Sequence, residues 1–163
     1  MRALLLAYKE HGQHALAGPL GSALAHAVAG ASAGLSGPVL LVPVPSGTLT
    51  VLRRGDDVVG ALAGTAARTA RAGGLPVRRA SALRQAGRRR DQVGLGRLER
   101  RANMVGAFEV RPRLRATVRG AQVVVVDDIV TSGATLAAAA RVLASAGAHV
   151  VAGAVVAATP ARG

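Results

Sequence analysis

The chain has 163 residues, half of them apolar, and a formal net charge of +13. That length suits one domain with a buried core. With no cysteine, a disulfide frame and thiolate metal sites are excluded, and no apolar run reaches the roughly 18 residues of a membrane span. The apolar start Met1–Ala7 is too short for a signal peptide and meets Tyr8-Lys9-Glu10-His11 at once, so a cytoplasmic protein is expected. Arginine supplies all the basic charge except Lys9, and thirteen arginines lie between Arg78 and Arg119. Such a field concentrates polyanions, whether nucleic acid or a pyrophosphorylated sugar, although a solvated basic face is the plainer alternative. Tyr8 and Phe108 are the only aromatics, which counts against base-stacking platforms for single strands.

In chain order, residues 1–9 read as a short amphipathic helix and Glu10–Gly12 as a turn. Residues 13–30 read as a helix, with Leu16, Leu20, Leu24 and Val28 at a spacing of four. His11, His14 and His26 lack metal-ligand spacing. Ala31–Pro38 is a Gly- and Ser-rich loop. Val39–Pro43 is an all-apolar strand ending in the turn Val44-Pro45-Ser46-Gly47. Residues 57–72 follow as a helix stopped by Gly73-Gly74, and Pro76–Leu83 reads as a third strand. Residues 84–105 are rich in Arg and Gly with no periodicity. Ala107–Val110 and Ala116–Val118 suggest a hairpin around Arg111-Pro112-Arg113. Residues 148–157 give a last strand, and Thr159–Gly163 a loose tail. Strands alternating with helices predict a mainly parallel α/β sheet, with ligands beyond the strands' carboxyl ends.

One stretch organises the rest: Val123–Val126, then Asp127-Asp128, Ile129-Val130, and Thr131-Ser132-Gly133-Ala134-Thr135. Four valines predict a strand buried on both faces. Leu136–Ala146 reads as a helix with Gly147 as its stop. Loop amides and the helix N-terminus suit a phosphate, and the hydroxyls of Thr131, Ser132 and Thr135 add donors. Gly133 allows close backbone approach. The two carboxylates can accept hydrogen bonds from sugar hydroxyls. A buried strand ending in a solvated acidic turn is the alternative, but adjacent carboxylates repel and call for a reason.

This stretch resembles the 5-phosphoribosyl-1-pyrophosphate (PRPP) motif of type I phosphoribosyltransferases at every position. The pattern is four apolar residues, two acids, two apolar residues, then Thr, Ser or Thr, Gly, any residue, and Thr or Ser. Over residues 4–157 the chain also resembles the ComF/GntX-type family, associated with competence and DNA uptake. The residues that carry this are Tyr8-Lys9, Gly12, Val42-Pro43-Val44-Pro45, Arg53-Arg54-Gly55, Leu83-Arg84, Asp91-Gln92, Leu95, Arg100-Arg101-Ala102-Asn103, Gly106-Ala107-Phe108 and the PRPP motif. Two departures stand out. The family's four-cysteine zinc ribbon has no counterpart here, and its Arg-Gly-Phe-Asn-Gln appears as Arg54-Gly55-Asp56-Asp57-Val58.

The resemblance implies a type I phosphoribosyltransferase fold over 1–163: a mainly parallel sheet flanked by helices, with a small hood that includes the helical segment 1–36. It implies displacement of pyrophosphate from C1 of PRPP by a nitrogen nucleophile. Asp127 and Asp128 would hold the ribose and its Mg²⁺. Thr131, Ser132, Gly133, Ala134 and Thr135 would hold the 5′-phosphate. Ser46, Gly47, Arg53, Arg54, Arg84, Arg88, Arg89 and Arg90 would meet the pyrophosphate. Segment 84–105 would be a flexible loop that closes over Mg–PRPP. A different class stays open: a non-catalytic PRPP sensor or nucleic-acid-binding protein. Homodimerisation is also open.

Overall fold

The computed structural model describes residues 2–11, 14–46, 57–86 and 106–159. Gly47, Arg53, Arg54, Arg88, Arg89 and Arg90 lie outside them, as do residues 87–105 of the segment 84–105 expected to close over the site; Arg84 and Gln85 of that segment lie in a strand.

Helix α1 (Arg2–His11) and helix α2 (Ala17–Ala31) come first, separated by a short 3₁₀ turn at His14–Leu16. Glu10 and His11, expected in a turn, belong to α1. Leu20, Leu24 and Val28 are fully buried, as their spacing predicts. Strand β1 (Val39–Pro43) is buried at every position. Helix α3 (Val58–Ala72) is capped by Asp57, whose Oδ1 accepts the Gly60 N–H at 3.0 Å. The cap gives a structural use to Asp57, one of the positions where the sequence departs from the ComF/GntX-type pattern that it resembles.

The third strand is shorter than the sequence suggests. Strand β2 (Val77–Arg79) pairs with β1, and Ala80 N–H still donates to the Leu41 carbonyl at 3.0 Å. Ala82 N–H then donates back to the Ala80 carbonyl at 2.8 Å, a tight reversal that ends the strand. Leu83 therefore starts a separate strand, β3 (Leu83–Gln85), which pairs antiparallel with β4 (Phe108–Val110). The hairpin expected around Pro112 is not formed. Pro112 opens a 3₁₀ turn, and residues 116–118 lie in the short helix α4 (Arg115–Val118), which buries Val118 completely.

Strand β5 (Gln122–Val130) follows, then helix α5 (Ala134–Ser145) and strand β6 (His149–Ala158). The main sheet has the order β2-β1-β5-β6 with every pairing parallel. This is the mainly parallel α/β sheet flanked by helices that the sequence predicts. Alternation along the strands sorts the apolar residues to two faces. Val39, Leu41, Val124 and Val126 join α1, α2 and α3 in one core. Leu40, Val42, Val123 and Val125 join α4, α5 and the β3–β4 ribbon in the other. No described helix is long and apolar enough to cross a membrane.

Candidate active site

The site is built at the carboxyl end of β5. The register pairs Pro43 with Val126, and Val44 N–H donates to the Val126 carbonyl at 2.9 Å. The chain leaving β1 through Pro45 and Ser46 therefore runs out beside the start of the acidic pair. Sequence order alone predicted this neighbourhood, and the parallel pairing supplies it.

Asp127 and Asp128 lie inside β5 rather than after it. Their surroundings differ: Asp128 is 5% exposed, whereas Asp127 is half-buried. Asp127 Oδ1 accepts the Asp128 N–H at 2.8 Å, which fixes the first carboxylate against its own backbone. A buried carboxylate such as Asp128 is stable only with polar company.

Thr131 and Ser132 are exposed, and Gly133 turns the chain into α5 with φ 74° and ψ −4°. That left-handed conformation is what calls for glycine here. A Cβ on Gly133 would come no closer than 4.0 Å to Val130, so the protein itself leaves room. Gly133 offers no side-chain cap to α5. The nearest substitute is the Ser132 hydroxyl, 3.4 Å from the Ala134 amide, too long to satisfy it well. The helix thus starts with amides turned toward an exposed loop, the arrangement that receives anions. The helix begins two residues earlier than the sequence suggests, so Ala134 and Thr135 form its first turn.

Thr159, read from sequence as part of a loose tail, is instead an anchor. Its N–H and its hydroxyl both donate to the Val130 carbonyl, at 2.9 and 3.0 Å. This doubly bonded carbonyl fixes the point where the loop leaves the sheet. The only sequence signal was position, one residue past a strand that pairs in parallel with β5.

Arg84 stands elsewhere, on the β3–β4 ribbon. Its guanidinium meets Glu109 Oε1 at 3.0 Å, and both side chains are nearly half exposed. Among the described residues, the structure brings together Ser46, Asp127, Asp128 and Thr131–Thr135 at one strand end, with Arg84 ion-paired on the ribbon. No cluster of three or more His, Cys, Asp or Glu that could hold a metal occurs among the described residues.

Two solved structures similar to this chain are of larger proteins. One is described as the allosteric regulatory enzyme of purine biosynthesis, with 19% identity and a TM-score of 0.48, covering 84% of this chain and 25% of that one. The other is glutamine PRPP amidotransferase from B. subtilis complexed with ADP and GMP, with 22% identity and a TM-score of 0.46, covering 86% of this chain and 26% of that one. The chain thus spans about a quarter of the length of either. No curated protein matches it in sequence. The family model described as the phosphoribosyl transferase domain matches residues 23–163, most of the chain, and the chain belongs to that family.

Proposed function

We propose that this protein binds PRPP with Mg²⁺ and transfers the phosphoribosyl group to a nitrogen nucleophile, releasing pyrophosphate. The observation that carries the reading is the junction of β5 and α5. A nearly buried carboxylate, a left-handed glycine and uncapped helix amides follow one another within seven residues, from Asp128 to Ala134. In this reading Asp127 and Asp128 accept hydrogen bonds from the ribose hydroxyls. Thr131, Ser132, Gly133, Ala134 and Thr135 cradle the 5′-phosphate. Ser46 and Gly47, with Arg53, Arg54, Arg84, Arg88, Arg89 and Arg90, meet the pyrophosphate. Residues 1–163 act as one domain.

The donor set fits Mg²⁺ of the kind that keeps several waters and takes most of its ligands from substrate. Two carboxylates are enough for that role, whereas a protein cage would need more. Bound there, the ion would neutralise charge gathering on the leaving pyrophosphate. The chain's own residues bind and orient the sugar. They need no nucleophilic side chain, since the sugar carbon is attacked by the acceptor.

Within the family, the spread of matching residues from Tyr8 to Phe108 supports a ComF/GntX-type protein. Calorimetric titration with PRPP and Mg²⁺, followed by pyrophosphate release against a panel of bases and amines, tests the reading. Saturable PRPP binding with acceptor-dependent release is the expected result; absence of PRPP binding overturns it. The +13 charge favours a second reading, a PRPP-sensing or nucleic-acid-binding protein of the competence type without catalysis. PRPP binding without release, together with a salt-dependent shift on generic DNA, would select that one.

A further inference from the structure

At the opposite end of the sheet lies a groove of about 510 Å³, lined by β4, α4 and the carboxyl end of α5. Arg119 precedes β5 and Gly147 precedes β6, whereas the Thr131–Thr135 loop follows β5. The nine residues of β5 therefore separate the two places, by roughly 25–30 Å at the usual rise per residue.

The floor of the groove is apolar: Phe108, Val110, Val142 and Ala146. Its rim carries Arg115, Arg119, Ser145 and Glu109. Arg115 and Arg119 are exposed, and neither guanidinium has a hydrogen bond or ion pair among the described residues. Arg119 is nonetheless held in place. Its stem lies over Gly147, where an added Cβ would come within 3.3 Å of Arg119 Cγ, and Gly147 has φ 88°. The Gly120 amide, next in the chain, donates to the Gly147 carbonyl at 2.7 Å. Glu109, the one acid on the rim, is already met by Arg84 at 3.0 Å.

A solvated arginine balancing the α5 dipole would account for Arg119. It does not account for Arg115, four residues earlier, where the second like charge adds repulsion. Paired guanidiniums suit a phosphate, which they bind through parallel N–H donors. An apolar floor suits an organic body, and the volume lies within the roughly 300–1,000 Å³ of small-ligand sites. We propose that this groove is a binding site for a small organic phosphate, with Arg115 and Arg119 on the phosphate and the Phe108–Val142 floor under the organic part. The proposal does not depend on the function assigned to the loop.

Calorimetric titration of the full chain with phenyl phosphate tests it, in the parent and in Gly133→Val, which crowds the loop and leaves the groove untouched. One equivalent should bind. The double variant Arg115→Gln/Arg119→Gln should weaken binding about tenfold or more, since hydrogen bonds to charged groups are at stake. Ser145→Trp, which fills the groove without removing a charge, should weaken it as well and serves if the double variant does not fold. No saturable binding to the parent would overturn the proposal, as would unchanged affinity in a folded variant. So would duplex DNA binding lost with the two arginines while phenyl phosphate fails to bind, which would make the face a nucleic-acid surface.

Discussion

At the carboxyl end of the parallel sheet the described residues place Asp57 at the amino terminus of α3, and Asp127 and Asp128 just ahead of α5. At the amino end they place Arg71 in the last turn of α3 and Arg119 against Gly147, just past α5. Among these residues the acids stand at one end and the arginines at the other, although Arg79, at the end of β2, stands beside Asp57. In a parallel α/β fold the helices run together, so their positive ends gather at one edge of the sheet and their negative ends at the other. The acids and arginines follow that polarity. The difference between the ends lies in geometry: the acidic end has a backbone loop open to an anion, and the basic end has paired side chains over an apolar floor.

The sharpest way to break the comparison is at the acidic pair. Asp127→Asn with Asp128→Asn should abolish PRPP binding in calorimetry while circular dichroism shows an intact fold. A folded double variant that binds PRPP as the parent does would remove the carboxylates from the site.

Next in size is the loop. Gly133→Val places a β-branched residue at φ 74°, a strain of about 1–3 kcal/mol. Competition by ribose 5-phosphate should weaken about tenfold, whereas Ala134→Ser should change it little. Equal competition in both variants would take the phosphate cradle away from this loop.

Asp57→Ala should then lower stability by about 1 kcal/mol through loss of the α3 cap. That corresponds to a fall in Tm of roughly 2–4 °C for a chain of this size. Arg79 adds little to this, since its contact with Asp57 is 3.9 Å and the pair is partly exposed.

The smallest effect concerns the ribbon. Glu109→Gln should cost less than about 1 kcal/mol, because the pair with Arg84 is nearly half exposed. If Arg84 also serves the pyrophosphate, Arg84→Gln should weaken PRPP binding while Glu109→Gln leaves it alone. Equal PRPP affinity in the two variants would restrict Arg84 to a local ion pair on the ribbon.

What the sequence by itself determined is the local machinery. Val123–Val126 read as a buried strand, Gly133 as a point of close backbone approach ahead of a helix, and Val39–Pro43 as an all-apolar strand, and the structure has each of these elements. Those features follow from apolar runs, backbone freedom and chain order, which act over a few residues. Tertiary structure decided what depends on partners far along the chain. Leu83 left the third strand because the backbone reverses at Ala80–Ala82 and Val110 offers it an antiparallel partner. Val118 became helical in burying itself in the second core, where a three-residue apolar pattern alone reads equally as a strand. Thr159 became an anchor because parallel pairing carries β6 to the end of β5, where the Val130 carbonyl accepts both its donors. Arg115 and Arg119 were two of many arginines in the sequence. The helical turn from Arg115 to Arg119, packed beside the end of α5, set them on one groove, whereas the strand that the sequence suggests there would hold them about 13 Å apart.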